Sequence, residues 1–228
     1  MKRVLITGGS KGLGRALCRL FLEKGYEVIS VSRSHNSMDG IIAYYADLSR
    51  SQERRHFIEQ IVSRFSRIDV LINNAGLALS GLLADFNEMD YEQVIETNFS
   101  ATRHLTEAFL PLLTNGGSVV AITSRVGREG RAGLSGYAVS KGLLMGYVTG
   151  IAESLHQKGV RIIGVNPGFM QTDMVRPRHI EKQRKQSLLG AINAVETSAR
   201  FVYWLSEATW GTGRIFDCDG REYKSWTN

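Results

Sequence analysis

The 228-residue chain is poor in residues that staple or break a fold, with two cysteines and three prolines. Cys18 and Cys218 are too few to hold a small secreted scaffold together and lack the close spacing of a metal site. Reduced thiols in a cytoplasmic compartment are the expectation, with no metal. Long hydrophobic runs are also missing. The apolar run Val4, Leu5, Ile6 soon meets glycines and is shorter than the core of an export signal. The longest charge-free stretch, 109–124, is interrupted by Pro111 and by Asn115, Gly116 and Gly117, which excludes a continuous membrane span, so no membrane partner is expected. Neither sign of charge dominates. Twenty-eight Lys and Arg against 22 Asp and Glu leave +6, which suits a phosphate-bearing ligand, an acidic partner or plain solubility. Neither a recognition motif nor an aromatic-rich basic surface accompanies that excess, so nucleic acid is not an expected partner.

What is present is an ordinary globular composition, 43% hydrophobic and without low-complexity tracts, in a chain long enough to bury a sizeable core. Short β-rich runs at 4–7, 28–32, 42–46, 70–73, 118–123, 161–165 and 214–218 alternate with helical patterns at 12–24, 52–65, 91–113, 137–157 and 196–207. This alternation predicts an α/β fold: a Rossmann-type, doubly wound, seven-stranded parallel sheet with helices on both faces. No Pro-, Gly- or Ser-rich linker divides it, so 1–228 reads as a single domain. Two long connections break the pattern. One, 124–136, is glycine-rich and holds Arg125, Arg128 and Arg131. The other, 168–190, contains Pro177 and many charges. Long connections in compact domains often carry function.

After the first strand comes Thr7-Gly8-Gly9-Ser10-Lys11-Gly12-Leu13-Gly14, opening directly into a helix. Glycines let a backbone turn tightly against a pyrophosphate, and a helix start offers free N–H groups and a favourable dipole. Glycines also serve ordinary turns, and the strand-turn-helix context is what favours a nucleotide. An acidic residue about 20 positions on would accept a ribose 2′-hydroxyl, whereas an Arg accommodates a 2′-phosphate. Here Arg33 lies 19 positions after Gly14 with no carboxylate beside it. That predicts NADP(H), with Lys11 as a second cation for the same phosphate. The competing reading makes Arg33 and Lys11 solvated surface charges.

Tyr137 and Lys141 stand one turn apart on a predicted helix. A phenol is a poor acid-base group at neutral pH, and a neighbouring ammonium favours its ionised form. Ser124 follows the 118–123 strand, at the carboxyl edge where ligands of open α/β sheets bind; a turn or cap role stays open for it. Asn98 lies within a helical pattern, where an inward amide bonded to backbone or water is expected.

With these residues in place the sequence resembles the compact, single-domain branch of the short-chain dehydrogenase/reductase family. The matching motifs are the 7–14 loop, Asp47-Leu48, Asn73-Asn74-Ala75-Gly76, Asn98, Ser124, Tyr137 with Lys141, and Asn166-Pro167-Gly168 followed by Thr172, all in family order. Asp219-Gly220 resembles the family's ending. The resemblance implies a catalytic tetrad of Asn98, Ser124, Tyr137 and Lys141. In it Tyr137 exchanges a proton with the carbonyl or alcohol oxygen and Ser124 hydrogen-bonds that oxygen. Lys141 shifts the Tyr137 pKa and holds the nicotinamide ribose, and Asn98 positions a water between Lys141 and solvent. It also implies cofactor contacts from Gly8, Ser10, Lys11, Gly12, Leu13, Gly14 and Arg33. Asp47 and Leu48 would meet the adenine, Asn74, Ala75 and Gly76 the wall behind the adenosine, and Pro167, Gly168 and Thr172 the nicotinamide side. The implied activity is NADPH-dependent reduction of a ketone, aldehyde or 3-oxoacyl-type carbonyl, or the reverse oxidation of an alcohol.

The chain departs from the family pattern at Arg125, where a smaller residue usually follows the serine, and in its tail, 221–228. In relatives the 168–190 region covers the substrate. Here it holds Arg176, Arg178, Lys182, Arg184 and Lys185 against Glu181, which suggests an anionic carbonyl compound or an acidic carrier, or else a solvated helix face. Gly142, Gly146 and Gly150 form a small-residue stripe on the helix from Tyr137. Relatives pair this helix between subunits, so a homodimer or homotetramer is expected, with packing inside the subunit as the other reading. The rival to an enzyme is a noncatalytic NADP(H)-binding sensor or scaffold, which would need the glycine loop and Arg33 but not all four of Asn98, Ser124, Tyr137 and Lys141.

Overall fold

The computed structural model describes residues 1–82, 84, 86–172 and 177–219, with only the backbone at 177–179. Seven strands form one parallel sheet: β1 (Arg3–Thr7), β2 (Glu27–Ser32), β3 (Ile41–Tyr45), β4 (Ile68–Asn73), β5 (Leu113–Ile122), β6 (Arg161–Asn166) and β7 (Arg214–Asp217). Their order is β3-β2-β1-β4-β5-β6-β7, the doubly wound arrangement expected from the alternation.

Continuous apolar runs suit strands covered on both faces, and the period-2 alternation of side chains divides each run between two cores. Leu5, Ile29, Val31, Leu71, Val119 and Ile162 face one core. It is closed by Phe57 and Ile61 of α2 (Ser51–Arg64), by Leu105 and Phe109 of α4 (Ala101–Phe109), and by Leu144 and Val148 of α6 (Ser135–Gly150). Val4, Ile6, Val28, Val70, Ile72, Val120 and Ile163 face the other, against Leu17 and Phe21 of α1 (Gly12–Glu23) and Val202 and Leu205 of α9 (Val195–Glu207).

The chain winds outward from β1 to β3 and then returns to place β4 on the other side of β1. The carboxyl ends of β1 and β4 therefore flank the switch point, where the connections diverge and leave a crevice.

Two helical patterns come out more broken than the sequence suggests. The 91–113 pattern becomes α3 (Glu88–Ile95), one wider π-type turn (Glu96–Ser100), α4 and a short 3-10 turn (Leu110–Leu112). Asn87 starts α3 early by accepting the Asp90 N–H at 2.9 Å in a capping box. The 137–157 pattern divides into α6 and α7 (Ala152–His156). The 124–136 connection contains the single turn α5 (Val126–Glu129), and 168–190 contains α8 (Pro177–Gln186), with proline at the helix start where its missing N–H costs nothing. No helix among the described residues is long and apolar enough to cross a membrane.

Candidate active site

The glycine loop is shaped by contacts that exclude side chains. Gly8 and Gly12 have φ of +71° and +52°. A Cβ on Gly14 would lie 2.1 Å from the Gly8 carbonyl oxygen, and one on Gly9 would lie 2.1 Å from Ser30 Oγ. α1 begins at Gly12 with no side-chain cap from Lys11, the kind of open helix start that suits an anion. Thr7 Oγ1 accepts from the Asn74 and Ala75 N–H groups at 2.9 and 2.8 Å, while Asn74 Nδ2 donates to the Thr7 carbonyl at 2.9 Å. These bonds tie the ends of β1 and β4 together across the crevice. In the sequence Thr7 stands out only as the first residue of the loop.

A cavity of about 970 Å³ occupies this crevice. Gly8, Ser10, Lys11, Gly12, Leu13 and Gly14 line its loop side. Arg33, Asp47 and Leu48 line the end over β2 and β3; Asn74, Ala75 and Gly76 line the middle; Ser124, Tyr137, Lys141, Pro167, Gly168 and Thr172 line the end over β5 and β6. The sequence-expected residues thus meet in one space, except Asn98, which is fully buried.

At the β2 end the Ser10 and Ser34 hydroxyls lie 2.7 Å apart, joining the glycine loop to the segment that carries Arg33. Asp47 Oδ1 accepts from both the N–H and the hydroxyl of Ser49, at 3.0 and 2.7 Å, which fixes its carboxylate at the cavity edge.

At the β5 end Tyr137 and Lys141 rise from the first turns of α6. Burial pushes the Tyr137 phenol above its ordinary pKa, and a hydrogen bond from Ser124 opposes the shift. The Tyr137–Lys141 spacing leads one to expect the opposite direction. Here Lys141 Nζ lies 5.8 Å from the ring centroid and donates to the Ile122 carbonyl at 2.6 Å, so desolvation outweighs its field on the phenol. Burial also lowers the Lys141 pKa to about 8. Ser124 sits where β5 ends, and its Oγ accepts the Val126 N–H at 3.3 Å at the start of α5.

Asn98 stands behind these groups in the π-type turn. Its Oδ1 accepts the Leu77 N–H at 2.7 Å, and its Nδ2 donates to the Leu77 carbonyl and to Ser140 Oγ, both at 2.9 Å. The side-chain amide is thereby committed to the Gly76–Leu77 wall and to α6, and the Asn98 backbone carbonyl accepts from the Thr102 hydroxyl at 3.3 Å.

Sequence reasoning missed Asn193 and Ser198. Asn193 Nδ2 and Ser198 Oγ each donate to the Pro167 carbonyl at 2.9 Å, holding the turn after β6, while Asn166 Nδ2 donates to Asp217 at 2.7 Å. A buried serine inside α9 was the only local hint. Of the basic residues in 168–190, Lys182, Arg184 and Lys185 are exposed on α8 and do not line the cavity. Arg184 and Lys185 each lie 3.9 Å from Glu181. Arg176 lies outside the described residues, as do the Arg178 side chain and Gly220. Among the described residues no cluster of His, Cys, Asp and Glu could hold a metal ion.

The short chain dehydrogenase family model matches residues 2–183. The chain belongs to this family. Among its relatives, the 3-oxoacyl-[acyl-carrier-protein] reductase of Thermotoga maritima is 30% identical, over 96% of each chain. The human protein of the same description is 29% identical, over 94% of this chain and 95% of the relative. Among solved structures, a short chain dehydrogenase from Burkholderia cenocepacia in complex with NADP has a TM-score of 0.90 at 27% identity, covering 96% of each chain. The short-chain dehydrogenase fold and oxidoreductase class therefore hold for this protein, with the sheet order described above.

Proposed function

We propose that the protein is an NADP(H)-dependent oxidoreductase interconverting a carbonyl and a secondary alcohol, of the ketone, aldehyde or 3-oxoacyl type. One observation carries the reading: Tyr137, Ser124 and Lys141 open onto the same cavity as the glycine loop and Arg33, so acid-base groups and a dinucleotide cradle share one space. The cradle fits the cofactor. Its Gly8, Gly9 and Gly14 leave no room for side chains, its helix start is uncapped, and its volume is at the upper end of ligand sites. Arg33 and Lys11 at the β2 end favour a 2′-phosphate over a bare ribose, and among the described residues the cavity wall there carries no carboxylate but Asp47. The NADP complex of the Burkholderia relative and the reductase names of the curated relatives lean the same way.

When bound, the nicotinamide supplies or takes up the pair of electrons. The raised pKa keeps Tyr137 protonated near neutral pH, and a protonated phenol is the form that donates to a carbonyl oxygen during reduction. Ser124 donates to the same oxygen. Lys141, cationic below about pH 8 and anchored on Ile122, stabilises the phenolate left after transfer. Asn98 is a positioning residue that fixes Gly76, Leu77 and α6.

A homodimer or homotetramer paired through α6 completes the proposal. Gly142 packs inside the subunit, where a Cβ would meet the Gly127 carbonyl at 3.2 Å, but among the described residues nothing lies within 4 Å of a Cβ on Gly146 or Gly150.

Following NADPH absorbance over a panel of ketones and aldehydes, with NADH in parallel, tests the activity. Tyr137→Phe should lower kcat at least 100-fold while leaving NADPH affinity unchanged. Tight NADPH binding without turnover of any carbonyl would favour the sensor or scaffold instead.

A further inference from the structure

We infer that Arg131 binds an acid group on the substrate, making the preferred carbonyl compound an oxo acid; this rests on the oxidoreductase reading above. Three arginines stand in the connection between β5 and α6, and the structure separates them. Arg125 lies 3.5 Å from Glu129 and 3.4 Å from Asp219, and Arg128 lies 3.0 Å from Asp217. Those two are neutralised and tie α5 to the β7 side of the molecule. Arg131 has no carboxylate within 4.0 Å among the described residues, and it lines the cavity.

Its place along the cavity decides its use. Arg131 opens the turn 131–134 that leads into Tyr137, closed by the Leu134 N–H to Arg131 carbonyl bond at 3.0 Å. The Gly81 N–H holds that turn against the facing loop through the Gly133 carbonyl at 3.1 Å. The 2′-phosphate candidate Arg33 follows β2, and the connection carrying Arg131 follows β5. Those strands are three spacings, about 14 Å, apart. Arg131 therefore serves the reacting end rather than the adenosine end. Leu82, Val126, Leu134, Phe169 and Met170 supply apolar surface there, and the only carboxylate on the described wall is Asp47, at the far end. Apolar surface with one unpaired guanidinium at its mouth, where Arg131 and Leu82 are both exposed, matches a short carbon chain that bears a ketone at one position and a carboxylate at another. The planar fork of Arg131 suits that carboxylate. The exposed cations of α8, by contrast, lie off the cavity wall.

The test compares 2-, 3- and 4-oxo acids with their ethyl esters as substrates for the wild type, Arg131→Gln and Arg131→Lys. The wild type should prefer the acid. Arg131→Gln should raise KM for the acid about tenfold with little effect on the ester, and Arg131→Lys should recover part of the loss. Added salt should raise KM for the acid alone. The ester serves as the internal check on folding and chemistry. A wild type that reduces esters as well as acids, or an equal loss on both in Arg131→Gln, would overturn the Arg131 assignment while leaving the reductase reading intact. Absence of turnover with every acid and ester, despite NADPH binding, would instead overturn the reductase reading.

Discussion

Asn98 grips both backbone polar groups of Leu77, accepting from its N–H at 2.7 Å and donating to its carbonyl at 2.9 Å. The π-type turn makes this possible by offsetting the helix where Asn98 sits, as such turns often do at functional sites. Leu77 follows Gly76 on the cavity wall, so the grip transmits the position of the α3–α4 layer to the crevice.

Replacing Asn98 with Ala should strand the Leu77 N–H and carbonyl and cost about 1–3 kcal/mol, read as a lower urea midpoint. The wall at Gly76 should loosen as well, raising KM for NADPH more than it lowers kcat.

Lys141 predicts a stability that rises with alkalinity. Its folded pKa of about 8 lies below the ordinary lysine value of 10.5, so the unfolded state binds more protons between those values and the folded state gains as pH rises. The shift corresponds to roughly 3 kcal/mol, developed between pH 8 and 10.5. Burial raises Tyr147 to about 12 and raises Tyr26 as well, so above pH 10 the unfolded phenols ionise first and stability falls again. Urea denaturation of the apo protein from pH 7 to 11 should trace this maximum, and Lys141→Met should flatten its rising limb.

Arg33 is expected to set coenzyme choice. Arg33→Ser should raise KM for NADPH roughly 10- to 100-fold, the loss of one or two charge-assisted bonds, with little change for NADH. Arg33→Asp should move the preference to NADH. Equal loss with both coenzymes in steady-state kinetics would count against a 2′-phosphate contact.

Two glycines should respond in opposite ways. Gly14→Ala puts a methyl 2.1 Å from a backbone oxygen that no rotamer can move, so nucleotide binding should fail and stability should drop by about 2 kcal/mol or more. A Cβ on exposed Gly146 meets nothing within 4 Å among the described residues, so circular dichroism of Gly146→Trp should show an intact subunit. Light scattering should then report a monomer, as the α6 pairing requires.

The sequence makes much of this legible, because parallel strands buried on both faces leave continuous β-branched runs and a dinucleotide loop needs glycines at set places. Seven strands and the glycine loop follow from those constraints, whereas most other cavity-lining residues come only from the family resemblance. The break in the 91–113 helix does not, since the residues that Asn98 meets from its π-type turn, Leu77 and Ser140, are remote in sequence. Nor does the direction of the Tyr137 pKa, which depends on how deeply α6 is buried. The roles of Asn193 and Ser198 were hidden because their partner, Pro167, is 26 and 31 residues away.

The anchoring of Pro167 has a wider consequence. Asn193 also donates its N–H to the Phe169 carbonyl at 3.0 Å and bridges to Met170, so the chain leaves and re-enters the scaffold at nearly the same point. The described residues between, 171–172 and 177–192, hang from a base sewn shut like an eyelet. Lengthening such a closed excursion adds only about 0.6 kcal/mol per doubling. Its length can thus drift at little energetic cost, while Asn193 keeps its base fixed beside Pro167.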